Sequence, residues 1–188
     1  GEPVEFPQFE DTTPLNSRLP YAIVKNVGEA YLKSYHREFG LDYTIFRFFN
    51  TYGAKQSKHF VISKFMSRAL KNEDITIYGD GKQTRTFCYV DDNVDACIYA
   101  FKNHLFVNEV VNIGGEIEIS ILDLANTILK VTNSSSKVVF LPPLSEGDMR
   151  GRRPDITKMK ALITKPMLSL EQGLKKIMDE GLFELKYP

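Results

Sequence analysis

Pro20-Tyr-Ala-Ile-Val-Lys-Asn-Val-Gly-Glu-Ala-Tyr-Leu-Lys-Ser-Tyr-His-Arg-Glu-Phe-Gly40, followed almost at once by Asp42-Tyr-Thr-Ile-Phe-Arg-Phe-Phe49, decides the fold of this chain. Ile23, Val27, Tyr31, Tyr35 and Phe39 recur every four residues, which predicts a helix from Tyr21 to about Phe39 with Gly40 as its stop. Part of that apolar stripe is expected to cover a sheet. Asp42 to Phe49 is rich in β-branched and aromatic residues and reads as a buried strand.

Downstream the alternation continues. A polar turn from Gly53 to Lys58 leads into a helix of roughly Phe60 to Leu70. Ile75–Tyr78 and Thr86–Val90 read as short strands flanking the loop Gly79-Asp-Gly-Lys-Gln83, and Asp91 or Asp92 is expected to cap a helix running to about Phe101. Val110–Ile113 is an apolar strand closed by Gly114-Gly115. Ser120 with Asp123 has the spacing of a capping box and opens a helix to about Val131. Val138–Leu141 is a further strand, Pro142 begins a polar loop through Arg153, and two helices near Asp155–Leu162 and Ser169–Gly181 close the chain. Strands alternating with helices indicate an α/β protein with parallel pairing. Upstream, residues 1–19 are rich in proline and turn formers, and a loop of that length predicts further sequence N-terminal to it.

Composition narrows the classes. The 188 residues are 43% hydrophobic and 26% charged, as in a folded globular protein. The 24 basic and 24 acidic side chains cancel, which removes the electrostatic case for nucleic acid or an anionic membrane. Cys88, Cys97 and three scattered histidines match no ligand spacing, so no metal is expected, and Cys88 reads as a small core residue. Without an apolar run of ~18 residues or an opening signal peptide, a cytoplasmic location is the expectation.

Tyr21-Ala-Ile-Val-Lys25 is the first candidate for chemistry. Residues four apart share a helix face, so a lysine ammonium there favours the tyrosinate, and the phenol can act as general base and then acid on a sugar hydroxyl. Alone, the spacing is common on solvated helices. It is joined by Phe-Arg-Phe-Phe-Asn50-Thr-Tyr-Gly53, Ile-Tyr78-Gly-Asp-Gly-Lys-Gln-Thr-Arg85-Thr-Phe-Cys-Tyr-Val-Asp-Asp92, Val-Asn112-Ile-Gly-Gly and Arg152-Arg-Pro-Asp155-Ile-Thr-Lys158. In this order the chain resembles the extended short-chain dehydrogenases that remodel nucleotide sugars with NAD, the epimerase/dehydratase family, from residue 1 to about 180.

The resemblance implies roles. Tyr21 would be the catalytic acid/base, and Lys25 would hold the nicotinamide ribose and support the tyrosine. Backbone around Phe48 would face the nicotinamide, at the carboxyl ends of parallel strands where such crevices lie. Asn50 would contact the substrate nucleotide, Val61 would touch the base through its backbone, and Tyr78 would stack on it. Arg85 and Arg152 would grip the diphosphate with planar donor forks, and Asp155 would lie near the nucleotide ribose. Relatives would pair the Tyr21 helix with its copy in a homodimer. The chain would then be the C-terminal part of a Rossmann-like parallel sheet plus a small α/β substrate-binding domain. Residues 1–56 would finish the NAD-binding domain, 57–90 and 116–188 would build the substrate domain, and 91–115 would return to the first.

No G-x-x-G-x-x-G fingerprint occurs among the twelve glycines. The resemblance therefore places the pyrophosphate loop and the partner Ser/Thr of the catalytic group upstream of Gly1, and implies an inactive fragment. Gln83 to Asp92 is similar to UDP-glucuronate decarboxylases, although Asn50-Thr-Tyr-Gly-Ala-Lys-Gln56 and Ile163-Thr164 depart from their usual N-T-F-G-P-R-M and Gly-Trp. The Tyr21 neighbourhood is equally similar to UDP-hexose 4-epimerases, and 4,6-dehydratases rank third. A catalytically dead nucleotide-sugar-binding or scaffold module remains the alternative from another class.

Overall fold

A computed structural model describes residues 5–11, 20–144 and 150–180. Gly1 and the expected helix end at Gly181 lie outside the described residues. In chain order the elements are α1 (Pro20–Phe39), β1 (Thr44–Phe48), β2 (Thr51–Tyr52), α2 (Val61–Leu70), β3 (Ile75–Tyr78), β4 (Thr84–Thr86), β5 (Cys88–Tyr89), α3 (Val90–Lys102), β6 (Glu109–Ile113), β7 (Glu118–Ser120), α4 (Ile121–Thr132), β8 (Val138–Leu141), α5 (Thr157–Lys160) and α6 (Leu170–Asp179).

Pairing is parallel for β1 with β6, β2 with β5 and β3 with β8. β4 with β7 is antiparallel, an exception to the parallel expectation. The longest ladder sets Thr44 against Glu109 and Phe48 against Ile113. α3 is the crossover between β5 and β6. Its N-cap is Tyr89, without a side-chain cap bond, so neither Asp91 nor Asp92 caps it; both lie in its first turn. The Asp92 carboxylate instead accepts a hydrogen bond from the Leu168 N–H at 3.0 Å, tying the loop before α6 to α3.

Two hydrophobic clusters support these ladders. One gathers Tyr52, Ile62, Phe65, Met66, Ile75, Ile77, Leu124, Ile128, Leu174 and Ile177 from β2, α2, β3, α4 and α6. The other packs Cys88, Ala96, Ala100, Val111, Ile113, Ile156, Met159 and Leu162 between α3, β6 and α5. Cys88 is buried and unpaired there, and burial, then the nearby Asp92, push its thiol up to about 12. Such a thiol is inert at neutral pH.

α4 shows how sequence makes an element. Ser120 Oγ accepts from the Asp123 N–H at 3.0 Å, closing the first turn. Asn133 ends the helix in the left-handed region with φ 48°. Its Ile121, Leu124, Ala125 and Ile128 form one buried face.

α1 is built otherwise. None of its residues is buried. Its stripe of Ile23, Val27, Tyr31, Tyr35 and Phe39 is exposed, which corrects the expectation that part of it covers the sheet. The less exposed positions are Ala22, Asn26, Glu29 and His36, a small and polar face at helical spacing.

Candidate active site

The carboxyl end of β1 organises the site. Phe48, half-exposed at 51%, is the last strand residue; the next residue, Phe49, is buried and donates its N–H to the Ile113 carbonyl at 2.8 Å. Gly114 follows Ile113, and a Cβ at that position would press on both Phe49 and Pro154. At Gly115 a Cβ would run into the Phe87 carbonyl, so the close approach of these segments requires glycine. Asn50 then turns the chain with φ 42°, and its side-chain amide donates to the Thr86 carbonyl at 2.9 Å. The Asn50 amide thereby joins the β1–β2 turn to β4.

Tyr21 occupies the first turn of α1, 75% exposed, with the Lys25 ammonium 5.5 Å from its ring centre. The two share one face, as their spacing implies. Arg152 is partly buried and its guanidinium lies 5.1 Å over the Phe49 ring. Burial first, and then the like charge of Arg85, hold the Arg152 guanidinium below its ordinary pKa, while Tyr21 acts in the opposite sense. Residues 67 positions apart in the chain, Arg85 and Arg152, are thus close enough for one charge to act on the other.

The remaining candidates lie in other settings. Val61 is the first residue of α2, whose N-cap Phe60 offers no side-chain acceptor, so the leading N–H groups of the helix are not capped by a side chain. One turn on, the Lys64 ammonium sits 5.7 Å over the Tyr78 ring. Tyr78 ends β3, and its carbonyl accepts from the Gln83 side chain at 3.1 Å. Arg85, on β4 opposite Ile119, donates to the Thr84 carbonyl at 2.7 Å. The Asp155 carboxylate accepts from the Thr157 N–H at 3.0 Å and the Thr157 hydroxyl at 3.1 Å. It therefore serves the start of α5.

Sequence reasoning missed a polar knot beneath the site. Arg47, in the middle of β1, makes a two-point contact with Glu29 of α1, Nε to Oε1 at 2.7 Å and Nη2 to Oε2 at 2.8 Å. Its third donor, Nη1, reaches the Glu10 carbonyl at 3.0 Å. Glu10 Oε1 accepts from the Asn112 N–H at 2.9 Å, and the Asn112 amide donates to the Gln8 and Asp155 carbonyls at 2.9 and 3.2 Å. One signal was available: a charged residue inside an apolar strand needs a partner. Among the described residues no group of three or more His, Cys, Asp or Glu side chains could hold a metal, and no helix is long and apolar enough to cross a membrane.

Parallel strand pairs joined by helices fit a Rossmann-like α/β protein. The model of the NAD dependent epimerase/dehydratase family matches residues 1–114, and the chain belongs to that family. It is 42% identical over 168 residues to the UDP-N-acetyl-alpha-D-glucosaminuronate decarboxylase of Bacillus cytotoxicus, covering 85% of this chain and 52% of that protein. The UDP-N-acetylglucosamine 4-epimerase of Methanobrevibacter ruminantium, solved with UDP-N-acetylmuramic acid, superposes with a TM-score of 0.87 at 32% identity, over 95% of this chain and 58% of that one. The UDP-glucuronic acid 4-epimerase of Bacillus cereus, solved with UDP-glucuronic acid and NAD, gives 0.79 at 32% identity, over 93% and 54%. The chain spans about half the length of the curated relatives it matches.

Proposed function

We propose that this chain carries the catalytic helix and the substrate-nucleotide side of an NAD-dependent enzyme that oxidises C4 of a UDP-sugar, with 4-epimerisation as the outcome. The observation that carries the reading is that Arg152, over the Phe49 ring at the end of β1, feels the like charge of Arg85 and the Tyr21 phenol, although the three lie far apart in sequence. Two guanidiniums near enough to feel each other's charge suit an anion of at least two negative charges, and a nucleoside diphosphate supplies them.

In this reading Arg85 and Arg152 hold the diphosphate, which sets the sugar against the Tyr21 end of α1. Asn50, the Val61 N–H and the Tyr78 ring receive the nucleotide, and Asp155 lies beside its ribose. Tyr21 Oη removes the proton from the C4 hydroxyl and later returns it, with Lys25 beside it on the same face of α1. NAD, held by Tyr21, Lys25 and the Phe48 backbone, would supply the hydride acceptor for C4. The residues present fit the nicotinamide-ribose end of NAD: a phenol and an ammonium on one helix face, and the half-exposed Phe48 at the end of β1. Residues 1–56 and 91–115 form the cofactor side, and 57–90 and 116–188 the substrate side.

Decarboxylation of UDP-glucuronate is the second reading, favoured by the 42% identity to a UDP-sugar decarboxylase. Both start with oxidation at C4. The enzyme is assigned to the cytoplasm and to a homodimer paired through the open face of α1.

The 188 residues alone should bind UDP measurably and NAD not detectably, since no glycine fingerprint for the pyrophosphate occurs in them. Titration calorimetry with each ligand, and proton NMR of UDP-glucose and UDP-glucuronate incubated with NAD and either this chain or the gene's complete product, test the reading. Inversion at C4 marks an epimerase and loss of carbon dioxide a decarboxylase. Absence of UDP binding removes the reading, and turnover by the 188 residues alone removes its claim of inactivity.

A further inference from the structure

We infer that Glu29 and Arg47 are positioning residues, a two-point tether that sets the roll and height of α1 and thereby aims Tyr21. The inference rests on Tyr21 being the acid/base and adds how the fold holds it in place.

A 20-residue helix with no buried residue has little apolar packing to fix its orientation. The face of α1 turned to the protein is Ala22, Asn26, Glu29 and His36. Near its end, His36 meets the Tyr43 ring edge-on at 5.8 Å and the Leu41 carbonyl at 3.2 Å, contacts to the loop that directly follows the helix. Those contacts act at the carboxyl end of the helix, away from Tyr21. Glu29 is different. It reaches across to β1 and meets both donors of the Arg47 fork, with the two side chains only 13% and 17% exposed. A planar two-point contact fixes direction as well as distance, which a single hydrogen bond or an ammonium does not.

Arg47 is itself held. Its strand position faces Asn112 of β6, and its remaining nitrogen donates to the Glu10 carbonyl. The tether therefore ends on the β1–β6 ladder, the same ladder whose carboxyl end carries Phe48 and Phe49. Tyr21 precedes Glu29 by eight residues, about 12 Å along a helix axis. At the ~5–6 Å radius of a helical side chain, a roll of about 10° displaces that side chain by roughly 1 Å. A misplacement of that size costs on the order of a hundredfold in rate.

Two variants separate aiming from folding. Glu29→Ala leaves a poorly solvated Arg47 unpaired, which can destabilise the protein on its own account. The paired Glu29→Met, Arg47→Met protein removes both charges and keeps the volume. Hydrogen exchange on the 188-residue chain is expected to show at least tenfold faster exchange of α1 amides around Tyr21 to Lys25 in the paired variant, with α4 unchanged. In the gene's complete product, kcat should fall about a hundredfold while UDP affinity, set by Arg85 and Arg152, stays within twofold. Glu29→Gln, which keeps the side-chain length and one acceptor, should recover part of kcat. Unchanged α1 exchange in the paired variant overturns the tether. Faster α1 exchange with kcat within threefold of the parent overturns its aiming role, and so does a loss of UDP affinity that accounts for the whole defect. A parent protein inactive on every UDP-sugar, despite NAD and UDP binding, overturns Tyr21 as the acid/base and the aiming role with it; the exchange experiment still decides whether the pair holds the helix.

Discussion

α1 and α4 both carry apolar residues at helical spacing, yet α4 buries Ile121, Leu124, Ala125 and Ile128 while α1 leaves Val27, Tyr31, Tyr35 and Phe39 open. Periodicity identifies a face that wants cover. It does not say which chain segment supplies the cover. For α4 the cover is α2 and α6 of the same cluster. For α1 no cover exists among the described residues, and the side it presents to the protein is small and polar.

The sharpest way to break that comparison is to empty the buried face. Leu124 is 0% exposed, and Leu124→Ala should cost about 2–5 kcal/mol, read as a lowered urea midpoint. A midpoint within experimental error of the parent would mean that α4 is no better anchored than α1. A change outside both helices should alter binding alone. Arg152→Ala is expected to weaken UDP at least tenfold by calorimetry, about 1.4 kcal/mol, without moving the melting temperature. An unchanged affinity would separate Arg152 from the diphosphate. Ser120→Ala removes the bond that closes the first turn of α4, and should lower stability by about 1 kcal/mol in the same urea titration.

The smallest expected effect on stability falls on α1. Tyr31 is 63% exposed, so Tyr31→Ser should change the folding free energy by less than about 0.5 kcal/mol. It should nonetheless shift the protein toward monomer in light scattering, if the open stripe is where copies meet. A protein that is monomeric before the substitution, at the highest accessible concentration, ends the dimer assignment.

The sequence was most legible where structure is local. Ser120 with Asp123 announces α4, and Thr-Ile-Phe-Arg-Phe announces β1, because each signal and its consequence lie within a few residues. Asp91 and Asp92 misled for the same reason: Tyr89 is the N-cap of α3, and the Asp92 carboxylate is used by Leu168, 76 residues on. The antiparallel β4–β7 pair is also a long-range choice, with Arg85 facing Ile119. Family resemblance named Tyr21, Lys25, Arg85 and Arg152, and spacing alone could not have brought Arg85 to Arg152. Glu29 and Arg47 passed unnoticed because each looks like an ordinary charged residue until the strand and helix are placed side by side.

The stacking of Arg152 on Phe49 has a thermodynamic consequence. An arginine side chain carries roughly 2 kcal/mol of rotamer entropy, and a solvated one surrenders much of it when it closes on an anion. Here the guanidinium already lies over an aromatic ring whose own position is fixed by burial and by the Ile113 carbonyl. Much of that ordering therefore happens during folding rather than at the moment of binding. Replacing Phe49 by leucine, which keeps the apolar volume but removes the π face, should make the entropy of UDP binding less favourable, even where the contacts in the complex are the same.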